Sequence, residues 1–145
     1  MENAKDYNAI VTVVVAAPVN KVWDAITKPE LIKQYMHGTN TETDWAVGSP
    51  VSWSGEWNGK AYTDKGLVLQ NEFQKLLSYT HWSPMGGSED APENYHVVTI
   101  ELTEQNGSTQ LTLTQSNNPS QEAADQMASN AWGPMLQALK TIAEN

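Results

Sequence analysis

The chain of 145 residues contains no cysteine, which excludes a disulfide framework, a cysteine-ligated zinc and a thiol nucleophile. Arginine is absent as well, so eight lysines face seventeen acidic residues and the formal net charge is -9. Without guanidinium forks the protein lacks the usual bidentate grip on carboxylates and phosphates. Its acidity also repels nucleic-acid backbones and anionic headgroups. Neither nucleic acid nor a membrane surface is an expected partner, and a neutral or cationic, largely apolar ligand suits this balance better. No apolar run approaches the ~20 residues that span a bilayer, and the opening "MENAKDYNAI" lacks the basic and apolar regions of a signal peptide. The cytoplasm is the expected compartment. Phenylalanine occurs once, whereas tryptophan occurs six times and tyrosine five. Each of those side chains carries a polar atom that needs a partner when buried.

Catalytic and cofactor signatures are equally scarce. His37, His81 and His96 show no metal-ligand spacing, and no G-x-S-x-G elbow, phosphate loop or dinucleotide fingerprint is present. No metal, no cofactor and no catalytic residue are expected from these patterns. Gly86-Gly87 reads as a loop hinge at most, and the acidic stretch from Glu89 to Glu93 reads as solvated surface or, at a cavity mouth, as a lid. With no repeat or composition shift, residues 1–145 read as one domain, expected as a monomer or homodimer.

Periodicity supplies the elements. "AIVTVVVAA", Ala9 to Ala17, is short and β-branched, which predicts a strand that Pro18 ends. Val19, Val22, Trp23 and Ile26, then Leu31, Ile32 and Tyr35 after Pro29, recur at helical spacing and predict two short helices. From residue 39 to 117 the pattern is of strands and turns. Val51, Trp53, Gly55 and Trp57 alternate with polar residues up to Asn58-Gly59, a return strand runs from Lys60 to about Phe73, and Leu76 to Trp82 comes next. Val98, Ile100 and Leu102 alternate up to Asn106-Gly107, and Leu111, Leu113 and Gln115 answer them. A long helix closes the chain, with Asn118 as its expected cap, Gln121 completing a capping box, and an apolar stripe of Ala124, Met127, Ala128, Ala131, Trp132, Met135, Leu139 and Ile142. Pro134 lies inside that helix and predicts a kink or distortion, since it cannot donate to Asn130. The fold class is α+β: a curved antiparallel sheet of about seven strands, two short helices after the first strand, and a long C-terminal helix gripped by the sheet.

The blocks "AAPVNKVWDAITKPELIKQY", "VGSPVSW", "LLSYTHW", "STQLTLTQS" and "AWGPMLQALKTIAE" resemble, in order, those of the Hsp90 ATPase activator-like group. That group belongs to the START-related, birch-pollen-allergen-like helix-grip superfamily. The opening block is similar to the group's "APxxxVWxxxTxPExIxxW". Three positions depart from the pattern: Tyr35-Met36 where a tryptophan often ends the second helix, His81 between Tyr79-Thr80 and Trp82, and Gln115 where histidine is common. The resemblance implies the helix-grip fold and an internal cavity. It also makes Leu77, Tyr79 and His81 the inward face of their strand, with Leu76, Ser78, Thr80 and Trp82 outside.

On that reading the candidate lining is Trp53, Tyr79, His81, Val98, Ile100, Leu113, Gln115, Met127, Ala131, Trp132 and Met135. The function it suggests is binding of a small apolar or aromatic molecule between sheet and helix. Two alternatives stand beside it: an adaptor that stimulates a chaperone ATPase, and a cyclase or dehydratase that uses His81.

Overall fold

The computed structural model describes residues 7–84 and 87–145, apart from the side chain of Trp57. The hinge reading of Gly86 therefore lies outside the described residues, as does the place of the Trp57 side chain in its strand alternation. Strand β1 (Tyr7–Val15) leads into helices α1 (Val19–Thr27) and α2 (Pro29–Tyr35). Six more strands complete the sheet: β2 (Asn40–Glu42), β3 (Pro50–Trp57), β4 (Lys60–Glu72), β5 (Leu76–His81), β6 (His96–Gln105) and β7 (Ser108–Asn118). The C-terminal helix runs from Gln121 to Glu144 in three parts: α3 (Gln121–Met127), a π-helical turn (Ala128–Trp132) and α4 (Gly133–Glu144).

All seven strands join one antiparallel sheet in the order β1-β7-β6-β5-β4-β3-β2. Its tight hairpins turn where two residues can take positive φ, Asn58-Gly59 at 53° and 78° and Asn106-Gly107 at 56° and 82°. Register then fixes the faces. Trp53 pairs with Asp64, Val68 with Tyr79, Tyr79 with Val98 and Val98 with Gln115, so these side chains line up across the concave side. Leu77, Tyr79 and His81 point inward as the alternation requires, Leu77 being fully buried.

The core sits under the concave face. Val15, Val22, Ile26, Leu77, Leu111, Leu113, Leu136 and Leu139 meet there, all buried. Helix α3 lies against β1 and β7, and α4 against β1 and the two short helices. The C-terminal helix thus covers the β1 side of the sheet.

Two features of that helix differ from the pattern expected of the sequence. Ser120 is the cap, accepting the Ala123 N–H at 3.0 Å. Asn118 is instead buried and donates its amide to the Tyr7 and Gln115 carbonyls, which ties the end of β7 to β1, and Gln121 bonds Asp125 rather than closing a capping box. A side chain already committed across the sheet cannot cap. The second difference is the stripe: Leu136, Leu139 and Ala143 are the buried residues of α4, while Met135 and Ile142 are only half-buried. The cause is the π turn. Pro134 cannot donate to Asn130, and the chain absorbs the defect by widening one turn, so that Gly133 N–H reaches the Ala128 carbonyl five residues back. A Cβ on Gly133 would stand 2.9 Å from that carbonyl oxygen, which is why glycine precedes the proline.

Gly66 sits where the neighbouring strand leaves no space for a side chain. A Cβ there would fall 1.7 Å from the Thr80 carbonyl oxygen, on a stretch where Lys65 and Trp82 exchange both backbone hydrogen bonds. Gly66→Ala is expected to lower stability by roughly 3 kcal/mol, the upper end for a residue forced into filled space. The measurement is the urea midpoint at unchanged slope.

Candidate functional site

The concave face is not filled at the β3–β5 side, and a cavity of about 570 Å³ lies there. Strands supply Trp53, Tyr62, Asp64, Tyr79, His81 and Val98. The end of α2 and the turn after it supply Tyr35, Met36, His37 and Thr39, and the C-terminal helix adds Asn130, Ala131, Trp132, Pro134, Met135 and Ala138. Seven of the eleven residues expected from sequence meet here: Trp53, Tyr79, His81, Val98, Ala131, Trp132 and Met135. The other four lie elsewhere. Ile100 and Leu113 pack in the core, Gln115 is buried on β7 one strand beyond Val98, and Met127 precedes the π turn, from which the helix begins to face the cavity.

Aromatic rings form the wall. The Trp53 ring lies 5.3 Å from Tyr79 and 5.1 Å from His81, the latter edge-on, and Trp45 lies 6.0 Å from Tyr79. Three polar tips in and behind this wall are hydrogen-bonded: Tyr35 OH donates to the Ala25 carbonyl at 2.7 Å, Trp45 Nε1 to the Thr27 carbonyl at 2.7 Å, and Tyr62 OH shares a 2.6 Å hydrogen bond with Thr39. Burial raises the phenol pKa values of Tyr35 and Tyr79 far above the ordinary range, so both stay neutral at physiological pH.

Among the lining residues that sequence reasoning missed, Asp64 is the one carboxylate. Its Oδ2 lies 3.0 Å from His81 Nε2, while its Oδ1 is buried with no hydrogen-bond partner among the described residues. The two residues are far apart in sequence, and β-alternation at "AYTDKG" without an apolar partner pattern hides the inward turn of an aspartate. Between the pairs Val68–Tyr79 and Lys65–Trp82 the register sets Gly66 opposite His81, so His81 reaches Asp64 diagonally across the two strands. Trp132 Nε1 is the second buried atom of the cavity without a partner. The chamber is therefore apolar in its walls, with one acceptor and one donor unspent. Among the described residues no group of three His, Cys, Asp or Glu could hold a metal ion.

The acidic loop takes a different place from a lid. Asp90 and Pro92, with Tyr95, line a groove of about 750 Å³ on the outer face, against Ser52, Lys65, Leu67 and Thr80. Asp90 pairs with Lys65 and accepts from Tyr95 OH, while Trp82 stacks on Tyr95 and donates to Ser88. The Lys65 hydrogen bond, then that of Tyr95, lowers the Asp90 pKa below the ordinary carboxylate value.

These contacts are open to test at both places. A depressed folded pKa means the Asp90 clamp contributes fully above the ordinary carboxylate pKa and is lost as pH falls through the lowered value. Protection of the Trp82 indole from hydrogen exchange, taken relative to the intrinsic rate at each pH, should fall on such acidification, and at neutral pH in Asp90→Asn. At the cavity, His81→Phe keeps ring volume but leaves both Asp64 oxygens bare, with an expected loss of about 1–3 kcal/mol. In a denaturation cycle the double variant with Asp64→Leu should lose less than the sum of the single variants. Additive losses would show that the pair is uncoupled.

The architecture is widely shared. The chain is 46% identical to ChR145 from Cytophaga hutchinsonii, whose solution structure covers 100% of this chain and 97% of its own at a TM-score of 0.86. It is 28% identical to MLL2253 from Mesorhizobium loti over 93% of this chain and 95% of that one, at a TM-score of 0.76. DynU16, from the dynemicin biosynthetic locus, shares the fold at 23% identity and a TM-score of 0.77, over 97% of this chain and 48% of its own. No curated protein matches the sequence. Residues 16–144 match the family described as Activator of Hsp90 ATPase homolog 1-like protein, and with the helix-grip fold spanning that same stretch the chain belongs to this family.

Proposed function

We propose that the protein binds a small apolar or aromatic molecule in the cavity between the sheet and the C-terminal helix. The observation that carries this reading is the chamber itself: about 570 Å³, walled by Trp53, Tyr79, Trp132 and Met135, with two buried polar atoms lacking partners. Sites for small molecules have this composition, a mostly apolar lining with a few polar groups that fix orientation. A fold-level neighbour from a biosynthetic locus is in keeping with a small-molecule role. The family description points instead to Hsp90, and the exposed apolar residues Ile10 and Val14 on the edge strand β1 are the surface feature that favours an adaptor reading. Among the described residues no helix is long and apolar enough to cross a membrane.

N-phenyl-naphthylamine, neutral at pH 7 and fluorescent in apolar surroundings, should bind with a stoichiometry of one. Ala131→Trp places an indole at the cavity from an exposed helix position, and should weaken that binding by at least about tenfold, or ~1.4 kcal/mol, without loss of fold. Probe binding should also change tryptophan emission in the wild type, and less so in Trp132→Phe. A protein that takes up no probe but accelerates ATP hydrolysis by Hsp90 would establish the adaptor reading instead.

A further inference from the structure

The ligand class can be narrowed by asking what would satisfy the two unspent atoms. Asp64 Oδ1 is an acceptor with no partner, on a carboxylate whose other oxygen is held by His81 Nε2 at 3.0 Å. The pairing with His81 uses Oδ2 alone and leaves Oδ1 free. Apart from His37 and His81 the cavity brings no basic side chain to it, because none of its lining residues is a lysine and the chain has no arginine. What surrounds Asp64 is aromatic: Trp53 is its cross-strand partner, and Tyr79 and His81 pack on Trp53 at ring separations of 5.3 and 5.1 Å.

A buried carboxylate oxygen beside aromatic faces is the arrangement that receives an ammonium group. The charge is neutralised by a charge-assisted hydrogen bond, and the ring faces add cation–π attraction once water is excluded. Alcohols can donate to the same oxygen but bring no charge, and carboxylates are repelled by it. The second unspent atom, Trp132 Nε1, is a donor on the helix and calls for an acceptor on the ligand. We propose that the cavity selects protonated amines carried on an apolar or aromatic body, with Asp64 Oδ1 taking the ammonium and Trp132 Nε1 donating to an acceptor elsewhere on the molecule. This inference rests on the cavity reading above and adds to it the charge and polarity of the ligand.

Three probes of nearly equal shape isolate the charge: naphthylmethylamine, naphthylmethanol and methylnaphthalene, each titrated at pH 8 against bound N-phenyl-naphthylamine. The amine is expected to bind wild-type protein at least about tenfold tighter than the alcohol, the usual margin between charge-assisted and neutral hydrogen bonds in a desolvated site. In Asp64→Asn, which retains an oxygen to accept from His81, that preference should vanish while methylnaphthalene binds as before. Equal binding of amine and alcohol by the wild type, or a preference that survives Asp64→Asn, would overturn the amine assignment and leave the cavity reading intact. Failure of all three probes and of the reporter would overturn both. The wild-type comparison needs no variant to fold, so it decides the matter even if Asp64→Asn is unstable. A further series compares aminomethyl-naphthalenes with and without a ring methoxy group. The methoxy compound should gain affinity in the wild type and lose that gain in Trp132→Phe, and no difference would remove Trp132 from the proposal.

Discussion

A concave sheet of seven strands presents more inward surface than one helix can cover, and the shape of the whole molecule depends on how that mismatch is resolved. The helix takes the β1 side, seated on β1 and β7 and flanked by α1 and α2. At the other side a gap remains, the cavity of about 570 Å³. Aromatic side chains partly bridge the gap, and three of their tips are hydrogen-bonded: Tyr35 to the Ala25 carbonyl and Trp45 to the Thr27 carbonyl, and Tyr62 to Thr39 within the lining itself. A protein that built this region from leucine would tend to collapse it. One built from tethered tryptophan and tyrosine holds it open, because closing it would break buried hydrogen bonds at about 1–3 kcal/mol each.

The helix contributes a second device. One extra residue in the turn Ala128–Trp132 rotates the C-terminal half of the helix by about 100° relative to an uninterrupted one. Ala124 is buried before the turn, and Leu136, Leu139 and Ala143 after it, while Ala131, Trp132, Pro134 and Met135 fall at the cavity. Pro134 is the chemical origin, and Gly133 is its necessary neighbour because any side chain there would crowd the Ala128 carbonyl. A helix defect that removes one hydrogen bond thereby decides which side chains face the chamber. π turns commonly sit at functional sites for this reason.

These two devices also show why the sequence was legible in parts. Strand alternation, the Asn-Gly turns and the helical spacing of Val22, Trp23 and Ile26 are local patterns. They place the elements, and with them the inward face of Leu77, Tyr79 and His81, before any tertiary contact is known. The resemblance of the ordered blocks then supplies the way the elements assemble. What local pattern does not carry is phase and depth. A 3.6-residue stripe drawn straight through Pro134 selects Met135 and Ile142, while the widened turn buries Leu136 and Ala143. Alternation along β6 and β7 likewise selects Ile100, Leu113 and Gln115 as inward, which they are, but cannot say that they are buried away from the cavity. Asn118 read as a cap for a similar reason: its spacing suits the helix, whereas its amide is used across the sheet.

Asp64 is the clearest case of information held only in three dimensions. A charged residue in a strand reads as solvent-facing, and most are, because a carboxylate turned inward loses hydration that a single hydrogen bond does not replace. Here the inward turn is set by register, Oδ2 meets His81, and Oδ1 stays unsatisfied. Trp132 Nε1, on the opposing wall, is unsatisfied too, and most buried polar atoms in folded proteins are not. Two such atoms in one chamber raise the free energy of the folded state in a way that hydrophobic substitutes at the same positions would avoid. Conflicts of this kind between local satisfaction and global fold tend to concentrate where a protein acts. A molecule that paired both atoms would remove the conflict and bind only the folded state. It would add RT ln(1 + [L]/Kd) to stability, about 2.7 kcal/mol at a hundredfold excess over Kd, which makes the chamber's occupant a component of the fold as much as its cargo.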